Sequence, residues 1–294
     1  MGVDNIAAAM ILVSEASGVN FENVITIGRQ KNYIKNPLRK KICSIKNFNE
    51  ICLEEAYIES FLLEIGAGRV DSLDASDYEG VSVLQDLNLP IPPELKDRYS
   101  FVIDSGTMEH ILNVPAGLEN IRRMTAPGGH VLMVSPANNW LGHGFYQFSP
   151  ELFFRSFGPE NGFQVERCFV AFDGFFSLKF YSIPDPQVLG RRWHISAKKR
   201  TSLIVLARKT GDSSDGIVQQ SDYASAWEGK ALPKMSTHIL NKSPLIVQIL
   251  INRFLRPLVY EMRNRRVMKE VKITWRGGKI RMVDHYYGNI GDTG

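Results

Sequence analysis

Cysteine is scarce in these 294 residues: Cys43, Cys52 and Cys168 are odd in number and have no metal-ligand spacing. That argues against a disulfide framework and against a cysteine-based metal site, so no metal is expected and a reduced, cytoplasmic setting fits. Long apolar runs are missing as well. The run Ile6 to Val13 is too short to span a bilayer and has no basic residue ahead of it, so it reads as a helix packed on a domain rather than a signal peptide. Met1-Gly2 does not open a myristoylation signal, because Ile6 stands where Ser or Thr is wanted. Neither sign of charge dominates, with Lys+Arg 35 against Asp+Glu 31. The net +4 is unevenly spread, however: from Asn241 onward eleven basic residues face four acidic ones, a net +7, which leaves −3 for everything before. An anionic surface or membrane would therefore meet the tail. Apolar residues at 44% and charged residues at 22% are ordinary for a globular chain, long enough for one large α/β domain or a domain with an appendage.

The most informative stretch runs from Tyr99 to Pro136. Tyr99-Ser100-Phe101-Val102-Ile103-Asp104 is apolar, β-branched and short, the pattern of a buried parallel strand. Ser105-Gly106-Thr107 follows, small residues that let a ligand approach the backbone at the strand's carboxyl end. A helix is expected through Leu118, Ile121 and Met124, with Arg122 and Arg123 on its solvent side. Pro127-Gly128-Gly129 stops it, and Val131 to Val134 supplies the next strand. A right-handed βαβ unit puts both strand ends on one rim, which is where open α/β sheets bind ligands.

The run Tyr-x-x-Val-Ile-Asp-x-Gly-Thr-Met-Glu-His-Ile from Tyr99, then Asn120 to Met124, then Ala126-Pro127-Gly128-Gly129-His130-Val131, resembles the fourth and fifth strands of class I S-adenosylmethionine-dependent methyltransferases, of the type 11-like small-molecule kind. A looser likeness extends from residue 22 to residue 208. The resemblance implies an α/β fold: a Rossmann-like, doubly wound, mostly parallel seven-stranded sheet with helices on both faces. A basic carboxyl-terminal appendage is expected beyond it. The corresponding division is residues 1–211 for the methyltransferase-like domain, 212–240 for a linker and 241–294 for a basic helix and hairpin. The cofactor it implies is S-adenosyl-L-methionine.

Asn23 to Gly28 reads as the first strand. In the family a glycine-rich turn here cradles the methionine end of the cofactor; this chain has Gly28-Arg29-Gln30, with one glycine in place of the usual two or three. Leu63-Glu64-Ile65-Gly66-Ala67-Gly68 looks like a better first motif. Yet a crossover helix cannot fit between Gly68 and Asp74, so Glu54 to Ile65 is read as the crossover helix, with Gly66 and Gly68 as its stop. The basic stretch Lys31 to Lys46 becomes an insertion, read equally as a loop over the site or a solvated loop. Val70 to Asp74 is the second strand, and Asp74 is placed where a carboxylate accepts the ribose hydroxyls. Val81 to Gln85 is the third; the resemblance gives Asp86 the adenine amino group and Leu87, through its backbone N–H, a ring nitrogen. Gly28, Arg29, Asp104, Ser105 and Gly106 complete the expected cofactor residues.

After the fifth strand, Ala137 to Glu151 is dense in directional groups, and the resemblance places the acceptor pocket there. A plain aromatic roof over the core is the competing reading. Methyl transfer mainly requires alignment, but a hydroxyl acceptor must also lose a proton, and histidine titrates near neutrality. His143, between two glycines, is the expected base, and Tyr146 the acceptor-positioning group. His110, the second histidine candidate, lies at the expected helix start after strand four and reads rather as a core or cofactor-side packing residue. Phe163 to Val170 and Thr201 to Ala207 look like the closing antiparallel pair, with Phe172 to Trp193 as a cover between them. In the tail, Leu245 to Tyr260 is mostly apolar but broken by Arg253, Arg256 and Pro257; packing on the core, a homodimer partner and a membrane surface stay open for it. Val271 to Met282, with Gly277-Gly278 inside, reads as a hairpin.

The function expected is therefore methyl transfer to a small-molecule acceptor, at a hydroxyl and on a sugar as one option. The alternative is a catalytically inactive methyltransferase-like binding scaffold, supported by the reduced Gly28-Arg29-Gln30 turn. A nicotinamide-dependent oxidoreductase fails for want of Gly-x-Gly-x-x-Gly at the first turn and of a matching Tyr-x-x-x-Lys. A nucleic-acid methyltransferase is disfavoured by the absence of an Asn-Pro-Pro-Tyr-type motif.

Overall fold

The computed structural model describes residues 2–46, 55–172, 179–189, 197–212, 219–227, 269–276 and 279–285. From β1 (Gly2–Val3) the chain enters α1 (Asn5–Ala16), then β2 (Asn23–Ile27), β3 (Lys31–Asn32), α2 (Asn36–Lys46) and α3 (Glu59–Glu64). Next come β4 (Arg69–Asp74), β5 (Val83–Leu84), β6 (Tyr99–Ser105), α4 (Val114–Met124), β7 (Thr125–Asn138), α5 (Pro150–Ser156) and β8 (Phe163–Phe172). They are followed by β9 (Lys179–Ser182), α6 (Pro186–Leu189), β10 (Thr201–Lys209), α7 (Ser221–Trp227), β11 (Lys269–Arg276) and β12 (Lys279–His285).

Alternation decides the layers. Along β2, Val24 faces one side of the sheet while Ile25 and Ile27 face the other, and the two sets belong to separate hydrophobic clusters. One cluster packs α1, α2 and α3 against Val24, Phe101, Ile103 and Leu132. The other packs α4 and α5 against Ile25, Val102, Val131 and Met133. The apolar run of α1 is buried from Ile6 to Ser14 because it is covered on all sides, and Asp4 caps it by accepting the N–H groups of Ile6 and Ala7 at 2.9 and 3.0 Å. The expected packed helix is what this run forms.

The main sheet has ten strands in the order β12-β11-β9-β8-β10-β7-β6-β2-β4-β5, and β1 and β3 make a separate parallel pair. β5, β4, β2, β6 and β7 run parallel; every pairing from β7 through β10 to β12 is antiparallel. The mostly parallel seven-stranded sheet is thereby corrected. The connection expected only to cover β8 and β10 contains β9, which pairs with β8, and the hairpin β11–β12 then pairs with β9 through Lys269 to Lys272. The hairpin expected around Gly277-Gly278 is present, with Arg276 opposite Lys279.

Three further corrections concern helices. The crossover helix expected from Glu54 to Ile65 is only Glu59–Glu64, and α2 occupies much of the stretch expected as an inserted loop. Gly66 does end it, with φ +109°, and the Ala67 N–H returns to the Leu62 carbonyl. Gly68 abuts Glu22, whose carbonyl oxygen would lie 2.8 Å from an added Cβ, so Gly66-Ala67-Gly68 sits at the amino end of β4, away from the ligand rim. The solvent side of α4 belongs to Arg123; Arg122 is largely buried and donates to the Ser156 carbonyl at 3.2 Å. Part of the expected linker is helical, and α7 is fastened to the domain where Ser221 N and Oγ donate to Glu151. Leu245 to Tyr260 lies outside the described residues, as does Cys52. Cys168 lies in β8, a strand paired on both sides, with its thiol fully buried.

Candidate active site

β2 and β6 are neighbours, but the chain leaves β2 toward β4 and β5 and returns across to β6 and β7. Their carboxyl ends therefore flank the topological switch point, where a crevice forms between diverging connections. Ile27 stands opposite Asp104, and Asp104 opposite Met133. Gly28 turns the chain at φ +72°, and its N–H donates to the Leu73 carbonyl at 2.6 Å, so the turn lies against the end of β4 where Asp74 stands. Gly28, Asp74 and Asp104 are thus brought to one rim, as the sequence leads one to expect.

Gln30 is fully buried there and was not expected as a site residue. Its Nε2 donates to the Ile27 carbonyl and to Thr107 Oγ1, and Thr107 Oγ1 donates to the Ile27 carbonyl. The Thr107 N–H in turn donates to Asp104 Oδ1 at 2.9 Å. Gln30 Oε1 and Asp104 Oδ2 are buried without a hydrogen-bond partner among the described residues. Two unsatisfied acceptors at a switch point suit a ligand carrying N–H donors. Burial raises the Asp104 carboxyl to about 7, against the opposing pull of the Thr107 and Met108 N–H groups.

The remaining expected cofactor residues are distributed as follows. Asp74 is half-buried and accepts the Ser76 N–H at 3.3 Å, beside a cavity of about 290 Å³ lined by Lys31, Asp74, Ser76, Tyr78 and Glu79. Leu84 pairs with Asp74, which brings Asp86 and Leu87 to the same rim. Asp86 Oδ1 accepts both the backbone and the side-chain N–H of Asn88 at 2.8 Å; Leu87 is buried. Arg29 is committed to the protein itself. Its guanidinium lies 4.0 Å over the Tyr57 ring, meets Glu59 at 2.8 Å and donates to the Glu79 and Gly80 carbonyls. It therefore shapes the rim as a brace between the turns after β2 and β4. Ser105 Oγ donates to the Gly2 carbonyl, which commits the hydroxyl to packing the amino end. Gly106 has φ +85° and brings the chain round toward Glu109.

The acceptor side is built on the turn Met108–His110. Glu109 is 1% exposed, and its Oε1 lies 3.4 Å from His143 Nε2. The loop after β7 can come this close only because residue 144 is glycine: at φ +66° an added Cβ would meet the Glu109 carbonyl oxygen at 2.8 Å. The Phe145 N–H also donates to that carbonyl at 2.7 Å. His110 is exposed rather than packed in the core, with its ring 5.1 Å from that of His143. Partial burial, then His143, hold the His110 pKa below its ordinary value. Burial raises the Glu109 carboxyl to about 8, and Asp104 adds to the rise. Tyr146 donates its hydroxyl to the Leu112 carbonyl at 2.7 Å, so in this structure it anchors the loop. Beside it a cavity of about 380 Å³ is lined by Asn138, Gln147, Phe148, Val170, Thr201 and Leu203. Sequence reasoning missed Glu109 as a site residue, although it stands next to His110 in the Met-Glu-His run.

The fold and rim together define a doubly wound α/β protein whose switch point lies between β2 and β6. No protein-family description matches the chain, and no curated protein matches it. Solved structures with a similar trace include a putative methyltransferase from Bacillus halodurans, at 12% identity over 70% of this chain and 99% of that one, with a TM-score of 0.38. The N-methyltransferase NodS from Bradyrhizobium japonicum is 10% identical over 70% and 94% of the two chains, with a TM-score of 0.39. The Burkholderia thailandensis 1,6-didemethyltoxoflavin-N1-methyltransferase, solved with S-adenosylhomocysteine, is 14% identical over 70% and 78%, with a TM-score of 0.37.

Proposed function

We propose that this chain is an S-adenosylmethionine-dependent methyltransferase that acts on a hydroxyl group of a small molecule. The observation that carries the reading is the convergence of Gly28, Asp74 and Asp104 on the switch-point rim, in the strands whose sequence resembles the class I methyltransferases. The unsatisfied Gln30 Oε1 and Asp104 Oδ2 fit the ammonium end of such a cofactor. Asp74 would accept from the ribose hydroxyls, while Asp86 and the Leu87 backbone would meet the base. The cofactor supplies a methyl carbon on a sulfonium, so the reaction forms one O–C bond as one C–S bond breaks.

The chain's own contribution is alignment and proton removal. The cavity beside Asn138, Gln147 and Thr201, mainly apolar with a few polar groups, has the size and character for a small acceptor. His143, exposed on the rim, takes up the hydroxyl proton, and Glu109, its Oε1 3.4 Å from Nε2, orients the ring from behind. The basic excess after Asn241 supports contact with an anionic surface as a further part of this reading.

Isothermal titration with S-adenosylmethionine tests the proposal. Asp74→Ala removes an acceptor from two hydroxyls and should weaken binding by about ten- to a hundredfold, the scale of a lost charge-assisted hydrogen bond. A folded wild-type chain that binds neither S-adenosylmethionine nor S-adenosylhomocysteine would support the inactive scaffold instead.

A further inference from the structure

We propose that Glu109, His110 and His143 form a binding site for a divalent transition-metal ion, two imidazoles and one carboxylate, on the acceptor side of the rim. One ligand atom from each lies within 4.8 Å of those of the other two. The Glu109–His143 pair, at 3.4 Å, already has the separation of two ligands on a four-coordinate ion, about 3.3 Å for bonds of 2.0–2.2 Å. The exposed His110 ring closes the remaining gap by turning about its own side-chain bonds.

Several features hold the three residues ready. Glu109 and His110 share one tight turn, and Gly144 seats the neighbouring His143 directly over Glu109. Glu109 is 1% exposed, and its Oε2 has no hydrogen-bond partner among the described residues. A carboxyl buried in this way is costly to ionise unless a cation or donor meets it. The donor set of imidazole nitrogen with carboxylate oxygen suits zinc, cobalt or iron better than calcium or magnesium, which prefer oxygen alone. Both imidazoles are exposed, so the outer coordination positions stay open to water or to an oxygen of a small molecule. A neutral imidazole has one free lone pair, so an ion and a transferred proton exclude each other at His143. In the loaded form the ion would hold the acceptor oxygen and lower its pKa in place of the histidine.

The ion site stands whether or not the chain transfers methyl groups, and His110 has no part in the proposed transfer. Chelator-treated full-length protein should be titrated with Co²⁺ and followed by its visible absorption, with Zn²⁺ competition measured by calorimetry. One ion per chain is expected, with the intense bands of a low-coordinate nitrogen and oxygen site. His110→Ala, at an exposed position, should leave the unfolding temperature of the metal-free chain unchanged and weaken the ion at least about tenfold, the scale of even an outer-shell loss. Glu109→Gln should do the same where it folds. No saturable binding, or equal affinity in His110→Ala, would overturn the site and leave the S-adenosylmethionine titration as an independent result.

Discussion

His143 illustrates how an exposed loop residue gains a defined position. Its neighbour Gly144 admits the Glu109 backbone, and Glu109 faces the imidazole from a buried site. If it removes the acceptor proton, His143→Ala should lower turnover by roughly a hundredfold, the usual worth of a positioned base, with S-adenosylmethionine affinity nearly unchanged. Equal turnover would take His143 out of the mechanism. Asp104 offers a test that needs no substrate. Its folded-state pKa of about 7 lies above the unfolded value of about 3.9, so the folded chain holds the proton more tightly. Its contribution to stability is complete below about pH 4 and is lost as the pH rises through about 7. Asp104→Asn keeps the acceptor for the Thr107 N–H and removes the ionisation, so urea unfolding of chelator-treated protein should show a shallower decline across that window. An unaltered slope would place the titration elsewhere, with Glu109, which faces Asp104, the next group to replace. Gly28, Asp74 and Asp104 were legible because each ends a strand with a local pattern. Gln30 and Glu109 were not, because their roles arise from contacts with Thr107 and with His143, far away in the chain.

Elements show the same division between local and distant causes. α1 was readable because its apolar residues follow one another without a break. α2 was hidden: Leu38 and Ile42 make the helical i, i+4 stripe on the core, but the many lysines around them read as an insertion. α4 has a second task that periodicity could not show. Asn120, 2% exposed, donates to the Leu87 and Leu89 carbonyls at 3.0 and 2.8 Å and accepts the Ile91 N–H at 3.1 Å. One helix side chain thereby ties Leu87, Leu89 and Ile91 of the loop after β5, and Asn113 adds bonds to Asn88. Asn120→Ala strands those three groups and should cost on the order of 3 kcal/mol in chemical denaturation, with weaker S-adenosylmethionine binding beyond the stability loss. A variant that loses stability but not affinity would show that the loop keeps its shape without the tether.

For the molecule as a whole, the parallel strands, the closing antiparallel pair β8–β10 and the β11–β12 hairpin were legible; β9, which ties that hairpin to the sheet, was not. The βαβ units carry their strand signals in apolar runs, whereas β9 is a four-residue strand whose second partner, β11, is distant in sequence. The hairpin β11–β12 buries Val271, 1% exposed, in the same cluster as α1. Ending the chain at Gly211 would expose the outer edge of β9 and remove α7 from Glu151. Loss of Val271 alone removes about 1.5–3 kcal/mol of burial. The shortened chain should therefore melt at a lower temperature and self-associate in size-exclusion chromatography. An equally stable monomer would mark the hairpin as dispensable to the fold.

Cys168 turns the central sheet into its own timekeeper. The thiol is fully buried within a strand paired on both sides, and burial pushes its pKa well up, so neither reagent access nor thiolate formation is available in the closed state. Alkylation at this position must await an opening event that parts β8 from its surroundings. Half-buried Cys43 on α2 reports a shallower event at the surface of the same molecule. With Cys52 replaced, a single labelling time course separates local breathing from rupture of the sheet, with one sulfur atom recording each.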